Sequence, residues 1–159
     1  MMKVTIISPS KMKEKYLKDA QNEYQKRLSR YCDLNIIEPE PVKLPDNPND
    51  TQIAAALERE AEVILKKIPP ESFVFALCVE GKPLSSEKLA KKVNELSNAG
   101  KPLCLIIGSS YGLSESVKQR ADFRLSVSDM TFPHQLFRVM LLEQLYRAYK
   151  INEGSTYHK

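Results

Sequence analysis

The chain has 159 residues, 42% of them apolar, with a net charge of +4, three cysteines and two histidines. That length supports one domain, residues 1–159, burying roughly two-thirds of its unfolded surface, and the apolar share excludes a disordered chain. No run approaches a membrane span, the N-terminus is too short and polar for a secretory signal, and there is no CxxC, so we expect a cytoplasmic protein with no membrane segment and no metal site.

Charge is unevenly spread. Residues 1–31 carry eight Lys/Arg against three Asp/Glu, and residues 38–62 carry two against seven. Such blocks are ordinary solvated faces or, at the basic end, a surface for nucleic acid.

Lys3 to Ile7 is a β-branched run stopped by Ser8-Pro9-Ser10, which predicts a first strand. Met12, Tyr16, Ala20, Tyr24, Leu28 and Tyr31 then recur at helical steps, predicting a helix with the tyrosines in its core face. Leu34 to Glu38 predicts a second strand. Four prolines between Pro39 and Pro48 impose a loop. Asp50 or Thr51 can cap the next helix, whose buried stripe is Ile53, Leu57, Ala61, Ile64 and Ile68.

Phe73 to Val79 is apolar throughout, as in a strand buried on both faces. Glu80-Gly81-Lys82-Pro83 predicts a turn, and Ser86 the cap of a helix burying Leu89, Val93 and Leu96. Gly100 and Pro102 close that helix. Leu103 to Ile107 is a second doubly buried strand, Ser114 caps a short helix, and Phe123 to Val127 is a last strand before a helix from about His134 to Ile151. The order β-α-β-α-β-α-β-α-β-α predicts an α/β fold with a mostly parallel sheet and helices on both faces. Ligands in such sheets bind at the carboxyl ends of strands. Leu77, Gly108 and Val127 are therefore expected to converge.

The last helix is apolar around almost its whole circumference, so more than one side must be covered. A second subunit would do this, which predicts a homodimer; a central position within one chain is the alternative.

Gly108-Ser109-Ser110-Tyr111-Gly112 fits the hydrolase pattern G-x-S-x-G, with Ser110 as nucleophile. The spacing argues against an elbow, because the capping Ser114 comes four residues after Ser110. The loop also lacks the dinucleotide pattern and a Walker lysine. What it offers is main chain that a flat ligand can approach closely.

Other residues match a known family. Met130-Thr131-Phe132-Pro133-His134-Gln135 with Arg138, Glu143-Gln144-Leu145-Tyr146-Arg147-Ala148-Tyr149, the terminal Tyr157-His158-Lys159 and Gly81-Lys82-Pro83-Leu84-Ser85-Ser86-Glu87 resemble the ribosomal RNA large subunit methyltransferase H family, small members of the SPOUT class. The resemblance spans nearly the whole chain. It implies S-adenosylmethionine as methyl donor and N3 of pseudouridine 1915 in 23S ribosomal RNA, within the assembled ribosome, as acceptor. It also implies a homodimer and a C-terminal trefoil knot. The cofactor is expected at Leu77, Gly108, Val127, Ser128, Asp129, Met130, Thr131 and Phe132. Arg147, Tyr157 and His158 are the expected catalytic groups, reaching a partner's pocket from the last helix and tail. One departure stands out: the family has two glycines where this chain has Gly108-Ser109, and a left-handed serine there costs about 1–2 kcal/mol. A serine hydrolase using Ser110 and a non-catalytic ribosome-binding factor are the competing readings.

Overall fold

The computed structural model describes residues 1–159. Five strands, β1 (Met2–Ile7), β2 (Cys32–Ile37), β3 (Phe73–Pro83), β4 (Leu103–Ile107) and β5 (Phe123–Ser126), form one sheet in the order β2-β1-β4-β3-β5. Every pairing is parallel. Five helices alternate with them: α1 (Lys15–Leu28), α2 (Asp50–Lys67), α3 (Ser86–Asn98), α4 (Glu115–Arg120) and α5 (His134–Asn152). No helix is long and apolar enough to cross a membrane. The expected α/β order and parallel sheet are both present.

Strand side chains alternate between faces, so each strand feeds two cores. Val4, Ile6, Phe75, Leu77, Leu103, Leu105 and Ile107 face α1, α3 and α5; Ile7, Val74, Ala76, Cys104 and Ile106 face α2 and α4. The first core is larger, with 18 buried residues against 9, because three helices cover it. β4 lies between β1 and β3, and all its residues are buried, as its uninterrupted apolar run requires.

Several local expectations shift by one or a few residues. Asn49, not Asp50 or Thr51, caps α2: its side chain accepts from the Gln52 amide at 2.8 Å, and the Gln52 side chain accepts from the Asn49 amide at 2.9 Å. Ser85 caps α3, which frees Ser86 to donate to Gln144 on α5 at 2.7 Å. On α1 the buried line is Leu17 and Leu28 with Tyr24 between them, while Tyr16 stands 69% exposed. The register of that face is set by α5, not by the tyrosine spacing. Tyr31 stacks on Tyr149 at 5.4 Å.

The predicted turn at Glu80–Pro83 is instead a continuation of β3. Leu125 of β5 pairs with Leu77 and again with Lys82, so the segment between makes an excursion and returns to the same neighbour. Gly81 permits the return, since a Cβ there would lie 2.6 Å from the Arg124 carbonyl oxygen.

α5 lies between α1 and α3, so two flanks are covered within the chain. Its one fully buried charge is Arg138. Nε donates to Ser8 Oγ at 3.1 Å, Nη1 to Glu38 Oε2 at 2.6 Å and Gln21 Oε1 at 3.2 Å, and Nη2 to the Ser10 carbonyl at 2.8 Å. The ends of β1 and β2, helix α1 and the second turn of α5 are thereby joined at one guanidinium. Ser10 adopts φ +67°, which aims its carbonyl at that group. Replacing Arg138 by Met leaves these acceptors buried without a donor. Chemical denaturation of Arg138→Met should give an unfolding free energy about 3–5 kcal/mol below wild type, and a loss under about 1 kcal/mol would contradict this account.

Candidate functional site: a main-chain cradle at the ends of three strands

A cavity of about 720 Å³ opens at the carboxyl ends of β3, β4 and β5, within the range of roughly 300–1,000 Å³ typical of small-molecule sites. Leu77, Ile107 and Leu125, the last core residues of the three strands, form its floor. Its walls are the loop Gly108–Gly112 on one side and the loop Val127–Pro133 on the other. Of the eight residues expected around a cofactor, Leu77, Gly108, Val127, Ser128, Met130, Thr131 and Phe132 line this cavity. Asp129 is exposed and does not line it. In that turn the Ser128 hydroxyl accepts from the Met130 amide at 3.0 Å, which leaves the adjacent Asp129 outside.

The glycine loop is tight. The Gly112 amide donates to the Ser109 carbonyl at 2.9 Å, and Gly112 takes φ +87°. A Cβ on Gly108 would lie 2.5 Å from the Gly112 carbonyl, so no side chain fits there. Ser109 is not among the residues with positive φ, and the expected left-handed strain is absent. Its hydroxyl instead donates to Glu60 Oε2 on α2 at 3.2 Å. Burial raises the pKa of Glu60, while hydrogen bonds from Val42 and Ser109 oppose that rise. Ser109 thus anchors the loop to the helix behind it.

No catalytic triad surrounds Ser110. The chain's two histidines face other groups: His134 Nε2 is 3.4 Å from Ser10 Oγ, and His158 contacts Arg147 and Glu87.

Arg147, Tyr157 and His158 do form one cluster, on the outer side of α5, and none of them lines the cavity. Gly154, at φ +77°, ends the helix and turns the tail back along it. Arg147 Nε donates to Glu143 Oε1 at 3.0 Å, and Tyr157 Oη donates to the same oxygen at 3.2 Å. Arg147 Nη1 lies 3.0 Å from His158 Nδ1. A guanidinium only donates, so Nδ1 must be the lone-pair nitrogen and Nε2 carries the proton, which it donates to Glu87 Oε1 at 2.8 Å. His158 therefore has no free lone pair. Burial, followed by the Glu143 charge, raises the Tyr157 phenol, keeping it a hydrogen-bond donor. Glu143 raises the Arg147 guanidinium further. The cluster supplies donors and positive charge, not a free base.

Among the lining residues that the sequence did not place at the site are Cys78, Glu80, Lys118 and His134. Cys78 reads as one more residue of a doubly buried strand, Glu80 as the start of a turn, and Lys118 lies on a short helix with an ordinary surface pattern. His134 had its signal in the first-turn position after Pro133. Burial, then Arg138 and Lys13, lowers its pKa, which favours the neutral imidazole.

Thiol chemistry checks this geometry. Cys32 and Cys104 are buried, and their thiols are pushed up to about 11 and about 12 by desolvation. Cys78 is only partly buried and faces the cavity. Iodoacetamide should modify Cys78 first in the native protein, with the other two reacting only on unfolding. Equal rates at all three by peptide mass spectrometry would refute the placement.

Comparison with known proteins agrees with the architecture. The family model described as "Predicted SPOUT methyltransferase" matches residues 2–158. A Methanococcus maripaludis protein is 54% identical over 159 residues, covering 99% of this chain and all of the relative. Relatives from Bifidobacterium adolescentis and Clostridioides difficile, both named ribosomal RNA large subunit methyltransferase H, are 53% and 51% identical with the same coverage. The solved structure of a probable methylase family protein from Haemophilus influenzae Rd KW20 shares the fold, with a TM-score of 0.56 at 13% identity, over 99% of this chain and 70% of that one. With the cavity at the strand ends and the match running through the whole sequence, the chain belongs to the SPOUT methyltransferases and, within them, to the ribosomal RNA large subunit methyltransferase H family.

Proposed function

We propose that the protein methylates ribosomal RNA, transferring the methyl group of S-adenosylmethionine to N3 of pseudouridine 1915 in 23S rRNA on the assembled ribosome. The observation that carries this reading is the cavity built from main chain, in which a Cβ at Gly108 would strike the Gly112 backbone. Such a cradle suits a flat adenosine group, with Leu77, Ile107 and Leu125 beneath it and the Val127–Phe132 loop over it. The names of the Bifidobacterium and Clostridioides relatives support RNA as the acceptor. When bound, S-adenosylmethionine supplies an electrophilic methyl group. The protein's own contribution is alignment of donor and acceptor, which removes much of the barrier, and stabilisation of the N3 anion left when the N3 proton passes to water, with S-adenosylhomocysteine as the leaving group.

Arg147 and Tyr157 are the groups we assign to that stabilisation, with His158 holding the guanidinium in place. They lie outside their own chain's cavity, so the reading needs a homodimer in which the tail of one subunit reaches the cavity of the other. Two features support this. The outer stripe of α5, with Leu136, Val139 and Met140, is incompletely covered. Val79, Tyr111, Val127, Met130 and Phe132 also expose apolar surface around the cavity mouth. The C-terminal trefoil knot belongs to the same reading and rests on the family match over residues 2–158. In this reading the basic residues of the first 31 positions would meet RNA phosphates. A protein acting on ribosomes works in the cytoplasm.

Incubation of ribosomes with methyl-labelled S-adenosylmethionine, followed by nucleoside mass spectrometry, should give 3-methylpseudouridine with wild type and none with Gly108→Arg. Arg147→Ala should lower the rate by about 10²–10³-fold. Mixing these two impaired variants under subunit exchange should restore activity, because a mixed dimer holds one site with an intact cavity and an intact tail. Cofactor binding without methylation of ribosomes would sink the acceptor assignment. Failure of the mixture to recover would sink the shared site.

A further inference from the structure

The cavity is lined almost entirely by apolar side chains, small hydroxyls and main chain, with two charged exceptions: Glu80 and Lys118. They come from different elements, Glu80 from the β3 excursion and Lys118 from α4, and they meet as an ion pair. The Lys118 side chain is 18% exposed and that of Glu80 55%, so the amine sits deeper and the carboxylate nearer the mouth. Lys118 is also the main reason that Glu80 is held below the usual carboxylate range. The other nearby cation, Arg124, is turned to Glu115 at 3.2 Å. One lone positive and one lone negative group therefore face the cavity, next to walls suited to adenosine.

The donor proposed for this site carries, besides adenosine, an amino-acid end with one carboxylate and one ammonium. We infer that Lys118 binds the carboxylate of that end and Glu80 its ammonium, so that the pair holds a zwitterion by exchanging its own contact for two contacts with the ligand. This inference rests on the methyl-donor reading and adds the direction in which the donor lies: adenosine over Leu77, Ile107 and Leu125, amino-acid end toward α4. The exchange keeps each charge paired. A ligand with only one of the two charges would break the existing pair and leave one partner without a counter-charge, which discriminates against decarboxylated analogues, while an analogue lacking the whole end leaves the pair intact and gains neither contact.

Calorimetry with two pairs of ligands tests this without requiring turnover. S-adenosylhomocysteine and 5′-methylthioadenosine differ by the whole amino-acid end. S-adenosylmethionine and its decarboxylated form differ by the carboxylate alone. Wild type should bind the complete member of each pair more tightly. Lys118→Met should weaken S-adenosylhomocysteine by about 10–100-fold, the size expected for a charge-assisted hydrogen bond, while 5′-methylthioadenosine stays within about twofold. The same variant should lose the preference for S-adenosylmethionine over its decarboxylated form. Glu80→Gln should weaken both members of that second pair alike, because both retain the ammonium. Unchanged S-adenosylhomocysteine affinity in both variants overturns the inference. An equal loss for 5′-methylthioadenosine also overturns it, since the pair would then only be shaping the cavity. If wild type binds none of the four ligands, the methyl-donor reading fails, and this inference with it; binding of 5′-methylthioadenosine as tightly as S-adenosylhomocysteine in wild type removes the inference alone.

Discussion

The guanidinium of Arg138 holds the parts of this molecule together where the site is made. Its five donors reach Ser8, Ser10, Gln21 and Glu38, which belong to the ends of the first two strands and to α1. Arg138 itself sits in the second turn of α5, directly after the loop that walls the cavity. A buried charge is tolerated only when its donors are matched, and here the match is made by carbonyls and side chains from three segments distant in sequence. The cavity wall at Thr131–His134 is therefore fixed relative to the sheet by a polar contact within an apolar layer. The left-handed Ser10 is the local strain accepted to complete it.

The cavity depends on main chain more than on side chains. Gly108 has no space for a Cβ, Gly112 has a positive φ, and Gly81 lets the β3 excursion return against β5. These glycines allow three backbone segments to lie close together at the strand ends. Ser109 shows how the same frame accepts a side chain: its backbone is unstrained, and its hydroxyl has a partner in Glu60. A glycine is needed only where the backbone demands one.

The reactive-looking groups form a separate unit. Glu143 gathers Arg147 and Tyr157, and Arg147 in turn sets the tautomer of His158. Within one chain this unit is satisfied by its own hydrogen bonds and does not reach the cavity. It lies beside the incompletely covered stripe of α5, where a second subunit would be expected to pack. In the proposed reading, donor binding and stabilisation of the acceptor belong to different surfaces of the same fold, and a dimer would bring them together.

The sequence by itself determined the alternation of strands and helices, the parallel sheet, and the convergence of Leu77, Gly108 and Val127, because apolar periodicity and strand-end rules are local. It also carried the family resemblance in the segment from Met130 to Tyr149. It misread Glu80–Pro83 as a turn, since strand continuation there depends on pairing with β5, more than forty residues away. It placed Tyr16 in the core and Asp129 at the cavity, and only packing against α5 and the Ser128 turn show both exposed. The partners of Arg138 and the meeting of Lys118 with Glu80 were invisible for the same reason. Charges on separate elements become a site only when the sheet order brings those elements side by side, and that order is set by long-range burial, not by any single stretch of chain.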